Sequence, residues 1–394
     1  MDGQLRDLLD AAAGDPPHRV TVEAVRRRMA RRRVTEGVAA AVAAVLFIGL
    51  GVAVSAQVTS PGPARGAYSR AGVPGHYIQQ NLSEASSSLL TVVRATATGA
   101  VTATVRCPWP DARIGAQDVA AANHTFFIVC QRETGPGASV VTGSRIYQFR
   151  VAESGQISGY TLVPGGILNG LRVGRIVASS DGSEIAITTA PGASRSPLAS
   201  IMVINAWTGA RAVWRNGGNA SGTIRFEISD LSLTSDGREL VFLAVTQCIQ
   251  NPRCEPTGEE VRALSPASNG GQLESGQLLL QQSALSGLSA GYIDGAVVSP
   301  DGSALTVVIM HSGPRSDTTS VVQFSAATGT QTRVLYQVPT GSGFFYRFFS
   351  SDPSGRYLLL DVGPTSGAVN GWIDHGQLVR LTPPDGDNIF YEIW

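Results

Sequence analysis

Four cysteines, at positions 107, 130, 248 and 254, are the most reactive side chains in this sequence. Cys248 and Cys254 bracket the short stretch Ile249-Gln250-Asn251-Pro252-Arg253. Four cysteines allow three connectivities, and Cys248–Cys254 with Cys107–Cys130 is the simplest. Such bridges belong to an oxidising compartment. A metal site is the alternative, but there is no Cys-x-x-Cys spacing and no histidine beside a cysteine. Gly287-Leu288-Ser289-Ala290-Gly291 matches the nucleophile-elbow pattern, which requires a strand before it and a helix after it. Here it lies between repeated units and reads as linker. Asp181, Asp236 and Asp301 invite a reading as paired carboxylates or a calcium site. Each stands directly before a glycine, at Gly182, Gly237 and Gly302, so turn geometry alone accounts for them. His76, His124, His311 and His375 are scattered along the chain. The chain has no lysine, which excludes a Schiff base and a P-loop lysine. No phosphate-binding glycine loop, zinc pair or base-plus-nucleophile set is present, and no cofactor is implied. Catalysis would have to come from residues that only folding brings together.

The elements that must position these residues repeat. Ser180-Asp181-Gly182, Ser235-Asp236-Gly237, Ser299-Pro300-Asp301-Gly302 and Asp352-Pro353-Ser354-Gly355 each precede a mostly apolar run. Three residues after each turn glycine stands Ile185, Leu240, Leu305 or Leu358, and a degenerate copy at Asn123-His124 puts Phe127 there. Each reads as a tight turn with glycine at positive φ, then a strand buried on both faces. A second hairpin follows at Trp207-Thr208-Gly209 and Ala327-Thr328-Gly329, 27 residues after Gly182 and Gly302 respectively. The same shape appears at Ala97-Thr98-Gly99 and Ser154-Gly155. Two hairpins per unit make a four-stranded antiparallel sheet, and the turn glycines 182, 237, 302 and 355 recur every 53–65 residues.

This combination of turns resembles the blades of TolB-like and WD-repeat-like β-propellers over residues 75–394. The resemblance implies an all-β propeller with blades near 76–106, 118–163, 175–215, 228–282, 293–337 and 345–394. Six blades is the count, with seven as the alternative. The run Ile389–Ile393 is a strand that would pair with the first blade and close the ring, removing open sheet edges.

Composition places the propeller. Acids and bases balance at 30 each, which argues against nucleic-acid binding through bulk charge. Charge is nevertheless segregated, with seven arginines against Glu23 between Arg19 and Arg33. An uncharged run from Gly37 follows, extending to Ala56, and is about 30 Å long as a helix. Arginines on its N-terminal flank put the N-terminus in the cytoplasm and the rest outside. The expected organisation is a helical Arg-rich cytosolic tail (1–36), a transmembrane signal anchor (37–56), a Ser/Pro/Gly linker (57–75) and an extracytoplasmic propeller (76–394). The layout resembles single-pass actinobacterial membrane proteins that accompany sigma-factor systems. A cleaved signal peptide is the competing reading, since Val54-Ser55-Ala56 offers small residues for cleavage.

The expected function is a non-catalytic binding or sensing module for a protein, peptide or glycan ligand outside the plasma membrane. Its candidate recognition loops are the inserts at 131–144, 246–258 and 311–318. Alternatives are an extracytoplasmic hydrolase or lyase, or a signalling protein whose tail docks a cytosolic partner such as a sigma factor. N-terminal sequencing of membrane-purified protein should return the initial residues of the chain. A start at Gln57 would mean a cleaved peptide.

Overall fold

The computed structural model describes residues 73–393, apart from 84–87, 123–124, 135–139, 194–199, 218–223, 249–257, 286–290, 312–317, 340–344, 353, 364–368, 375 and 381–387. The expected tail, anchor and most of the linker therefore lie outside the described residues, as do Cys254, Ser289, His124 and His375. Among the described residues, no helix is long and apolar enough to cross a membrane.

Every repeated turn joins two strands, and the strands assemble into six sheets, the blades of a six-bladed β-propeller. Blade 1 contains β1 (His76–Ser83), β2 (Ser88–Ala95) and β3 (Val101–Thr104). Blade 2 contains β4 (Arg113–Ala122), β5 (Thr125–Thr134), β6 (Val140–Val151) and β7 (Ile157–Asn169). Blade 3 contains β8 (Leu171–Ala178), β9 (Glu184–Pro191), β10 (Ser200–Asn205) and β11 (Arg211–Arg215). Blade 4 contains β12 (Ile224–Leu233), β13 (Leu240–Cys248), β14 (Glu259–Leu264) and β16 (Gln277–Gln281), with β15 (Gly271–Gln272) inserted before its last strand. Blade 5 is β17 (Gly291–Val298), β18 (Ala304–His311), β19 (Thr318–Ser325) and β20 (Gln331–Pro339). Blade 6 is β21 (Phe345–Ser351), β22 (Leu358–Gly363), β23 (Val369–Asp374) and β24 (Gln377–Arg380). The terminal strand β25 (Asn388–Ile393) pairs antiparallel with β1 and completes blade 1, so the sixth blade ends at Arg380. The innermost strands β4, β8, β12, β17, β21 and β25 touch in cyclic order around the axis.

Burial follows the apolar pattern. Ile185–Ala190, Leu240–Ala244 and Leu305–Met310 are buried on both faces, and apolar clusters fill the spaces between blades. One element has no counterpart in the repeat. β15 leaves blade 4 and pairs in parallel with β11, adding a fifth strand to blade 3. Its short, glycine-led sequence carries no period-two signal. Cys107 and Cys130 form a disulfide that ties the chain after β3 to β5.

The turns work as expected from their residues. In blade 5, Asp301 Oδ1 accepts from Ser299 Oγ (2.6 Å), Ser303 N (3.1 Å) and Ser303 Oγ (2.8 Å). Asp181 makes the same three contacts with Ser179 and Ser183 in blade 3. Gly302 has φ of 74°, where a side chain is strained. Gly302→Val should therefore cost about 1–3 kcal/mol, read as a lower melting temperature of the purified chain.

Candidate functional site

The antiparallel order gives the propeller two unlike rims. Turns from the first to the second strand and from the third to the fourth lie on one side, which we call the turn rim. Connections from the second to the third strand lie on the opposite loop rim, and β1 starts at the turn rim. Of the proposed recognition inserts, 135–139, 249–257 and 312–317 fall outside the described residues, and all three join second to third strands. The first is shorter than expected, because β5 runs to Thr134 and β6 begins at Val140. The connection from Pro191 to Ser200 in blade 3 is longer than that one and was not among the expected recognition inserts.

Asp181, Asp236 and Asp301 stand on three different turns of the turn rim and are not brought together. Each is a turn clamp. Hydrogen bonds from Ser299 and Ser303 hold the Asp301 carboxyl down to about 2. Neighbouring turns do touch: Ser235 N and Oγ both donate to Pro300 O at 2.9 Å. A side chain at Gly355 would meet Pro300. These residues hold blades together.

The charged residues that folding gathers were not visible as a set in the sequence. They lie at the axis, on inner strands distorted in the same way. In each of the six inner strands, the pairing register slips where extra residues bulge out. The bulged residue is Gly174 in β8, Ser229 in β12 and Asp294 in β17. Just beyond two of these bulges stand Arg175 and Asp230. Arg175 Nη1 donates to Asp230 Oδ1 at 2.7 Å, and both side chains are largely buried. The same Oδ1 accepts from Leu231 N at 3.0 Å, and Oδ2 accepts from Ala296 N at 3.1 Å in blade 5. Asp230 thus joins blades 3, 4 and 5. Ser232 Oγ accepts from Val298 N (3.0 Å), and Glu259 Oε2 accepts from Ile293 N (3.0 Å).

Asp294 is the remaining acid. It makes no hydrogen bond among the described residues. Burial first, then the Glu259 and Asp230 carboxylates, push its carboxyl up to about 7, against the pull of Arg175. Burial likewise raises Asp230, against Arg175 and the two backbone donors. A cavity of about 70 Å³ lies along the axis beside this group, lined by Arg175, Asp230, Ser232, Val298, Ser350 and Asp352. Its volume suits a few water molecules and is too small for a substrate. Among the described residues, no group of three or more His, Cys, Asp or Glu is arranged to hold a metal ion.

No protein-family model matches the chain, and no curated protein matches it. Among solved structures, the chain is similar to a prolyl endopeptidase (15% identity, TM-score 0.37, 68% of this chain and 42% of that one). It is also similar to TolB from Acinetobacter baumannii (14% identity, TM-score 0.42, 78% and 65%). A third is the β-propeller domain of Cps50 (Swd1) from Myceliophteria thermophila (11% identity, TM-score 0.42, 76% and 82%). The chain spans under half the length of the endopeptidase and about two thirds of TolB.

The axial acids generate a pH effect. Asp294 rises from 3.8 to about 7 on folding, so between those values the folded chain holds a proton that the unfolded chain releases. Stability from this group is full below about pH 4 and falls as pH rises toward 7. Asp294→Asn should remove that slope and be more stable than the parent at pH 8, by on the order of 1–3 kcal/mol. Denaturant unfolding at pH 5 and pH 8 measures it.

Proposed function

We propose that this chain is a membrane-anchored, extracytoplasmic propeller that works as a non-catalytic binding or sensing module. Its ligand is a protein, peptide or glycan of the cell envelope. Residues 1–36 offer a docking segment to a cytosolic regulator such as a sigma factor. The Arg19–Arg33 cluster and the uncharged run from Gly37 to Ala56 support the anchor and its orientation. The Cys107–Cys130 bridge is consistent with an oxidising compartment.

The observation that carries the binding reading is the strand order. The described strand ends that flank the three inserts all lie on one rim, opposite the one where β1 begins. Loops grouped on a rigid frame are the usual place for recognition. The axis supports the same conclusion, because the Asp230 and Glu259 carboxylates are occupied by backbone amides and by Arg175.

The second reading is an extracytoplasmic hydrolase or lyase, and it rests on Asp294. A carboxyl near 7 beside two other acids has the proton affinity of a general acid or base. Full-length protein in detergent, with 312–317 replaced by Gly-Ser-Gly, separates the two. On the binding reading the replacement melts like the parent and captures its envelope ligand at least tenfold less well, while Asp294→Asn captures normally. Turnover of the captured ligand that Asp294→Asn abolishes would establish the enzyme instead.

A further inference from the structure

Trp207 is the most exposed large apolar side chain among the described residues, with 68% of its surface open. The turn that carries it does not need an aromatic residue. Asn205 Oδ1 accepts from Trp207 N (3.2 Å), Thr208 N (2.9 Å) and Thr208 Oγ1 (2.9 Å), and Gly209 N donates to Asn205 O at 2.8 Å. The corresponding turns of blades 1 and 5 have Ala97 and Ala327 at this position. The indole N–H makes no hydrogen bond among the described residues. An exposed indole beside a groove offers an aromatic plate and an N–H donor to a ligand.

Trp207 lines a groove of about 560 Å³ between blades 2 and 3, at the turn rim. The opposite wall is the face of blade 2, built from two rungs of paired residues. One rung is Phe127, Gln148 and Thr161 on β5, β6 and β7, and the other is Thr125, Arg150 and Ser158. Along the first rung burial falls from Phe127, fully buried, through half-buried Gln148 to exposed Thr161. The groove is thus closed beneath by Phe127 and becomes polar toward its lip. The side chains of Gln148, Arg150 and Thr161 make no hydrogen bond or ion pair among the described residues. Asp181, also on the lining, has its Oδ1 occupied by Ser179 and Ser183.

The two walls are locked in place. Arg211 donates through Nε (3.0 Å) and Nη2 to Gly165 O, and through Nη2 to Ile167 O at 2.8 Å, tying blade 3 to β7. Gly165 and Gly209 approach so closely that a side chain on either would collide with the other's backbone. A groove held open by such contacts loses little freedom when it binds.

We propose that this groove is a saccharide-binding site, with the apolar face of a pyranose ring on Trp207 and its hydroxyls bonded by Gln148, Arg150 and Thr161. The chemistry matches on each side. A sugar ring has one C–H-rich face for an aromatic plate, and its hydroxyls both donate and accept, as an amide and a hydroxyl do. One cation and one carboxylate on the lining leave the groove without a strong net charge, which suits a hydroxyl-rich ligand. The volume is in the range of small-ligand pockets. The site is on the opposite rim from the loops discussed above and does not depend on them.

Chitohexaose, maltohexaose and xylohexaose, titrated against the full-length protein in detergent by calorimetry and tryptophan fluorescence, test this. At least one should bind and perturb the emission. Trp207→Ala should weaken that binding at least tenfold with an unchanged melting temperature. Trp207→Phe should restore part of it, and Gln148→Ala should weaken it about threefold to tenfold. A proline decamer is the competing ligand. Binding of the peptide but of no sugar would overturn the assignment, as would silence from all three sugars or sugar binding that survives Trp207→Ala.

Discussion

A ring of blades leaves an unpaired strand edge at its centre. Each inner strand bonds to only one neighbour in its own sheet, and its other edge presents backbone amides to the crowded axis. Buried amides without partners are costly, so side chains must supply the acceptors. Asp230, Ser232 and Glu259 do this for Ala296, Val298 and Ile293 in the next blade. Between blades 2 and 3 the amide of Gln131 serves both ways, donating to Val173 O at 2.9 Å and accepting from Val173 N at 3.2 Å. Gln80 donates to Gly115 O at 3.0 Å between blades 1 and 2. Satisfaction of the inner edge and cohesion of the ring are therefore the same set of contacts.

This constraint decides how the axial charges are read. A buried aspartate near an arginine in a central channel has the composition of an active site. Here Asp230 serves as an acceptor for two backbone amides and pairs with Arg175. Removing one partner would leave the other buried and alone, which costs more than the pair contributes. Asp294, at a bulge, is the acid that the frame does not use, and its raised proton affinity is the result of that position. With the Asp230 and Glu259 carboxylates committed to the frame, the proposed recognition falls to the rims.

Local features were legible in the sequence because local geometry makes them. A turn that requires positive φ and an acceptor two residues from two hydroxyls writes Ser-Pro-Asp-Gly-Ser in consecutive letters, and the four-stranded unit follows from two such turns. Ile389–Ile393 could be read as the closing strand because it is an apolar run with no partner left in its own blade. The contacts between blades write no such signal. Asp230 and Ala296 are 66 residues apart, and the six bulges carry no shared residue type. β15 was missed because two residues joined to a neighbouring blade have no periodicity. Trp207 was visible as part of a turn, but its exposure, and the groove beside it, depend on blade 2.

Amide hydrogen exchange at Ala296 tests the central claim most directly. Its N–H points away from β18 toward Asp230, so no strand protects it. If the side chain of Asp230 closes the inner edge, Ala296 should exchange as slowly as the ladder amides of β18 in the folded chain. Asp230→Ala should then speed that exchange at least tenfold, together with that of its neighbours in β17. Rapid exchange at Ala296 in the parent, or protection unchanged by Asp230→Ala, would contradict the account.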